Sequence, residues 1–180
     1  IFHEIGDMLE IKGELVFKTV AYHRAAAVIE RSPVDLVAAY RAGTPPRLPG
    51  VGKAIGDKLD ELARTGHLAF YDRLSLWVPP GLVTILQIPG IGPKTVRQLH
   101  TELGIASVED LGAAAEAGRL RTIRGLSGKT EAQILDGIAR IETRSSRMLL
   151  DRAAELVQAL SATLDGTGGL LSLTPAGSFR

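Results

Sequence analysis

Apolar residues recur at spacings of three and four through nearly the whole chain, the signature of amphipathic helices. Ile1, Ile5, Met8 and Leu9 predict a first helix that ends near Gly13. A second is expected over Phe17–Arg31, with Val20, Ala21, Ala25, Val28 and Ile29 on one side. Ser32-Pro33 then supplies a cap and a proline at the first helical position, opening a short helix to about Ala42. Ser107 with Asp110 three residues on predicts a capping box, and Gly118 a stop. A longer helical stretch is expected from about Lys129 to Leu164, with a break around Thr143–Ser146. The pattern changes after Gly166, Gly168 and Gly169, where Leu170-Leu171-Ser172-Leu173-Thr174 reads as a strand. A lone strand needs a sheet to join, so a further domain is expected beyond Arg180. The fold class is therefore all-α, followed by a short β start.

One short element interrupts the helices three times. Leu48-Pro49-Gly50-Val51-Gly52-Lys53 and Ile88-Pro89-Gly90-Ile91-Gly92-Pro93 are nearly identical. Ile123-Arg124-Gly125-Leu126-Ser127-Gly128-Lys129 is a looser third copy. Two glycines around one apolar residue permit a tight turn with close backbone approach. The following helix start offers unpaired N–H groups and a dipole that favours an anion. Val51, Ile91 and Leu126 are expected to pack inward and stiffen the turns. Such an element grips a sugar–phosphate backbone without reading bases. Read more plainly, each is a turn between helices, but internal repetition argues against chance. A P-loop at Gly125–Thr130 fails on spacing, because four residues must separate its glycines and position 123 is Ile.

Composition narrows the picture. Apolar residues make up 45% and aromatics 4%, so the core rests on aliphatic side chains, which suits packed helices. Cysteine is absent, which excludes thiolate catalysis, cysteine-bound zinc and disulfides. With no apolar run near 20 residues and no signal-like start, a soluble cytoplasmic protein without membrane association is expected. Net charge is only +1, yet residues 119–152 carry eight Lys or Arg against four acids, while 104–118 carry three acids and no base. Local basic surface matters more than the sum for a polyanion partner. His3, His23, His67 and His100 are scattered, without zinc-site spacing. Trp77, followed by Pro79-Pro80, is expected to anchor a subdomain joint.

These hairpins carry the helix-hairpin-helix signature, and their setting resembles the family X DNA polymerases, bacterial members in particular at Leu9–Glu14. Phe17–Ala26 is similar to the second helix of that family's small lyase domain, and Leu48–Leu68 to its hairpin and next helix. Ile88–Leu111 resembles the second hairpin, and Gly177-Ser178-Phe179-Arg180 the start of the nucleotide-binding motif in the palm. The resemblance implies three regions: 1–78 lyase-like, 79–165 a helical DNA-binding subdomain, and 166–180 a linker and palm start. It implies a monomeric enzyme that fills short gaps in gapped or nicked DNA during repair, using Mg2+ or Mn2+ and deoxynucleoside triphosphates. Its catalytic aspartates would lie beyond this chain, which alone is not expected to polymerise.

Implied DNA contacts are Lys18, Tyr22, Gly50, Val51, Gly52, Lys53, Gly90, Ile91, Gly92, Lys94, Gly125, Gly128 and Lys129. Gly177, Ser178 and Arg180 would meet the nucleotide. A monovalent cation, Na+ or K+, would sit on the backbone carbonyls of Leu48 and Val51, and of Ile88 and Ile91. Family members also remove a 5′-deoxyribose phosphate through a lysine Schiff base, and Lys58 falls on that lysine's position. Lys18 and Lys53 would lower its pKa, whereas Glu61 on the same helix face would keep it charged. Ala54 stands where the vertebrate enzyme has a further pocket lysine. A solvated Lys58 that only touches phosphate, and a Tyr22 that is only packed, are the plainer readings. Two alternatives remain open: a non-enzymatic helix-hairpin-helix binding module, and a DNA glycosylase using Lys94, whose required aspartate is replaced by Gly112.

Overall fold

The computed structural model describes residues 1–145, with side chains described to Ile141. Described residues are helical, joined by turns, and no strand occurs among them. The expected strand at 170–174, the helix to Leu164 and the Gly177–Arg180 motif lie outside the described residues. Ile1–Ile138 form one compact unit, and a second, Ala139–Arg180, falls almost wholly outside the described residues.

In chain order the helices are α1 (Phe2–Lys12), α2 (Val16–Glu30), α3 (Leu36–Arg41), α4 (Lys53–Thr65) and α5 (Ala69–Ser75), then α6 (Gly81–Ile85), α7 (Pro93–Leu103), α8 (Val108–Glu116) and α9 (Gly128–Ser145). A 3-10 turn over Arg119–Thr122 precedes α9. Gly13 closes α1 in the left-handed region at φ 81°, as expected of a glycine after a helix end. Ser107 and Asp110 form the predicted reciprocal box at α8, and Gly118 follows with φ 66°.

α1 lies at the centre. It packs on α2 and also on α5, α6 and α7, and buries Phe2, Ile5, Met8, Leu9 and Ile11. Each such side chain removed from water contributes roughly 1.5–3 kcal/mol before entropy is counted. Further along, Leu82, Ile85, Val96, Leu99, Leu111, Leu120, Ile123 and Ile134 continue the aliphatic interior.

Two expectations fail. The short third helix starts at Leu36, capped by Asp35 Oδ1, which accepts the Ala38 N–H at 3.0 Å. Ser32 is engaged locally instead, its Oγ accepting from Val34 N at 3.3 Å, so it forms a turn that precedes the helix. The buried side of α2 is also rotated from the expected one: Thr19, Tyr22, Ala25 and Ala26 face inward, while Val20 is exposed. The Tyr22 ring stacks on Phe2 (6.3 Å between centroids) and on Phe70 (5.9 Å), and this burial outweighs the smaller valine. Val16 and Phe17 consequently point to solvent.

Candidate nucleic-acid interface

The three repeats fold into the same turn. Val51 N–H donates to Leu48 O at 3.2 Å, Ile91 to Ile88 at 3.2 Å, and Leu126 to Ile123 at 3.1 Å. Each turn has a glycine at its third position with positive φ: 75° at Gly50, 86° at Gly90 and 92° at Gly125. Proline at the second position of the first two presets the turn, leaving glycine where φ must be positive. Ile91 is buried, and Val51 and Leu126 are half-buried, so the central apolar residues do anchor the turns.

The hairpins differ at the helix start. Gly52 and Gly92 cap α4 and α7, and neither has a side chain to bond the first-turn amides. Those donors are offered outward, at exposed Lys53 and Ala54 in the first hairpin and exposed Lys94 in the second. In the third hairpin the equivalent position is Ser127. Its Oγ accepts from Thr130 N at 3.4 Å, and Thr130 Oγ1 accepts from Ser127 N at 3.3 Å. This end therefore caps itself. Gly128, expected as the hairpin's second glycine, is instead the first residue of α9, beside exposed Lys129.

A cavity of about 630 Å³ adjoins the first hairpin. Gly50 and Gly52 line it from the hairpin, Tyr22 and Phe70 supply aromatic wall, and Lys12, Lys18 and Arg73 supply charge. Burial pushes the Tyr22 phenol up to about 12, so it stays a neutral donor. A second depression of about 850 Å³ takes in Leu48, Val51 and Lys53. Lys58 lines neither. Its Nζ donates to Ala54 O at 3.1 Å and lies 4.9 Å from the Phe70 ring centroid, where the ring face favours a cation. Glu61 does not turn to Lys58: its Oε1 accepts the Ala69 N–H at 2.8 Å and caps α5. The two lysines expected to tune Lys58 hold carboxylates, Lys18 on Glu14 at 2.9 Å and Lys53 on Asp57 at 3.0 Å. The Lys18 hydrogen bond holds the Glu14 carboxyl below its usual range.

Trp77 departs from expectation: it is 72% exposed, and it lines the same cavity. The histidines are not all scattered either. His3 and His23 meet with Nδ1 atoms 3.3 Å apart, beside Asp7 and Glu10. Sequence spacing hides this group because its members come from two helices packed against each other.

Comparison with known proteins gives two domain matches. A helix-hairpin-helix domain matches residues 1–68, and a SAM-like helix-hairpin-helix tandem matches 82–140. Among curated proteins, the DNA polymerase/3'-5' exonuclease PolX of Bacillus subtilis is 27% identical over 180 residues, covering 100% of this chain and 31% of that protein. DNA polymerase lambda of Rattus norvegicus is 31% identical over 133 residues, 74% of this chain and 21% of that one. DNA polymerase lambda of Arabidopsis thaliana is 27% identical over 164 residues, 91% of this chain and 28% of that one. The chain thus spans about a third or less of the length of these relatives. No helix among the described residues is long and apolar enough to cross a membrane.

Proposed function

Since the chain belongs with the N-terminal helix-hairpin-helix region of the family X DNA polymerases, we propose that it grips gapped or nicked DNA for a repair polymerase, by its sugar–phosphate backbone and without regard to sequence. The observation that carries this is the pair of matching turns at Gly50 and Gly90, each followed by a helix whose glycine cap leaves its first amides unbonded by any side chain. Main-chain donors and a helix dipole hold a phosphate and are blind to the base attached to it. Of the three hairpins, the first two are the grips. The third offers fewer free donors, because the Ser127 and Thr130 amides are each bonded to the other's side chain. Polymerisation itself, with Mg2+ or Mn2+ and a deoxynucleoside triphosphate, belongs to the longer protein.

A monovalent cation fits the hairpins chemically. Leu48 O and Ile88 O each accept one in-turn amide at 3.2 Å and keep a lone pair, and neutral carbonyls suit Na+ or K+. Such an ion would add positive charge where phosphate is held.

The test of the grip is a Gly50→Ala, Gly90→Ala double variant. A Cβ at either site meets nothing within 4 Å, so the cost is backbone strain of about 1–2 kcal/mol each, not collision. Fluorescence anisotropy with a gapped duplex should show at least tenfold weaker binding while circular dichroism keeps its helical signal. Unaltered affinity in that folded variant would remove the proposal's basis.

Lyase chemistry is the second reading, favoured by Lys58 standing on Phe70, which lines the cationic cavity. Borohydride trapping on an incised abasic duplex should yield a covalent adduct with the native chain and none with Lys58→Ala. Equal trapping by both would assign the amine elsewhere.

A further inference from the structure

We propose that Asp7, Glu10 and His23 form a binding site for a borderline divalent transition ion, of the Zn2+, Co2+ or Ni2+ class, with His3 and Glu30 orienting its imidazole. Among the described residues, one ligand atom from each of these three lies within 4.8 Å of the other two. Metal–donor bonds of about 2.1 Å place tetrahedral donors roughly 3.4 Å apart, so modest rotation of the carboxylates closes the set. Asp7 and Glu10 stand three residues apart on one face of α1, and His23 reaches them from α2.

A consistent proton arrangement supports metal over chance proximity. His3 Nε2 lies 3.4 Å from Glu30 Oε1, and His3 Nδ1 lies 3.3 Å from His23 Nδ1. If His3 donates Nε2–H to the carboxylate, its Nδ1 accepts a proton from His23 Nδ1. His23 Nε2 is then left with a lone pair, and that atom is 3.7 Å from Asp7 Oδ1. Two acceptors facing each other repel unless a positive centre lies between them. The His3 ring, with Glu30 behind it, thus stands at His23 Nδ1, in the place where a hydrogen-bond acceptor orients a metal-binding histidine. One imidazole with two carboxylates selects zinc-like ions over the all-oxygen preference of Mg2+ and Ca2+. With three protein donors, at least one coordination position stays open to water.

Gly6 adds an independent observation. It is buried in the middle of α1, where glycine costs about 1 kcal/mol relative to alanine. A Cβ there would lie 2.6–2.9 Å from three atoms of the His23 ring. The helix tolerates a glycine where the imidazole must come close.

The experiment titrates the EDTA-treated chain with Co2+ and follows visible absorption, then displaces it with Zn2+. Expected is one Co2+ per chain, bound about tenfold or more weakly by His23→Ala and by Asp7→Asn, and about 10–100-fold more weakly by His3→Gln. His67→Ala should bind as the native chain does, since His67 pairs with Asp72 elsewhere. Gly6→Ala keeps every donor yet pushes the ring aside, and should also weaken binding if folding is intact. The proposal is overturned if no one-to-one cobalt spectrum develops or if His23→Ala binds unchanged. It is equally overturned if NMR finds His23 only as an imidazolium paired to Asp7 and insensitive to Zn2+.

Discussion

Single residues set what the helix ends can do. Gly52 has φ −75° and ψ 166°, a conformation open to any residue, and a Cβ there meets nothing within 4 Å. Gly92 is similar, at φ −102° and ψ 171°. Glycine is thus not required there by the backbone, unlike at Gly50 and Gly90, and aspartate would be the better cap. Gly52→Asp with Gly92→Asp should raise stability by a few tenths to about 1 kcal/mol, through amide capping and the dipole. The same carboxylates would meet phosphate as like charges, at about 1–4 kcal/mol for a close pair near a surface, so DNA affinity should fall tenfold or more. A thermal melt and a binding isotherm on one sample check both signs. Asp110 gives a pH prediction. The Ala106 N–H, at 3.0 Å, and the Ser107 cap hold its carboxyl below the ordinary 3.8. A depressed folded pKa means that the contribution is present above the unfolded value and lost as pH falls through the folded one. Acid titration of the melting temperature should therefore be shallower below about pH 4 in Asp110→Asn.

At the scale of elements, what could be read from sequence was what local chemistry encodes. The three turns were legible because positive φ demands glycine and the second turn position welcomes proline, so Pro49-Gly50 and Pro89-Gly90 announce themselves. The α8 box was legible for the same reason, with both partners within three residues. α2 was misread because Val16, Phe17 and Val20 are apolar yet exposed, while Thr19 is buried and Tyr22 is held between two rings contributed by α1 and α5. Periodicity records which residues are apolar, not which stripe a neighbour will cover. At α3 the sequence pointed to Ser32 as the cap, but Asp35, three residues on, caps instead, its carboxylate accepting from Ala38 N. The third hairpin was recognised, but its glycines were paired wrongly: Ser127 takes the capping place, and only the hydrogen bonds with Thr130 reveal that the Ser127 and Thr130 amides are taken. The His3–His23 group escaped for a deeper reason. Its two helices meet across 20 residues of chain, and no spacing rule spans that distance.

Across residues 1–138 the two domain matches are not independent bodies. α1, which lies inside the first match, packs on α6 and α7 of the second. Arg97 of α7 donates its Nε–H to Ile11 O at 2.8 Å, on the last turn of α1, where a cation also complements the helix dipole. Its guanidinium fills the space beside Gly13, where a Cβ would come within 2.5 Å. A hydrogen bond to a charged group of this kind contributes about 1.5–3 kcal/mol. If both hairpin regions open only together, Arg97→Ala lowers the global opening free energy, and every globally exchanging amide reports it. Native-state hydrogen exchange should then show protection falling by the same factor, on the order of tenfold or more, at Ile55 and Leu59 of α4 and at Val96 and Leu99 of α7. A fall at Val96 and Leu99 with α4 unchanged would mean that the regions open separately. Joint opening bears directly on the grip, because two turns built on one cooperative core keep their separation fixed. The ordering cost of presenting both to a DNA backbone is then met during folding and not at each encounter.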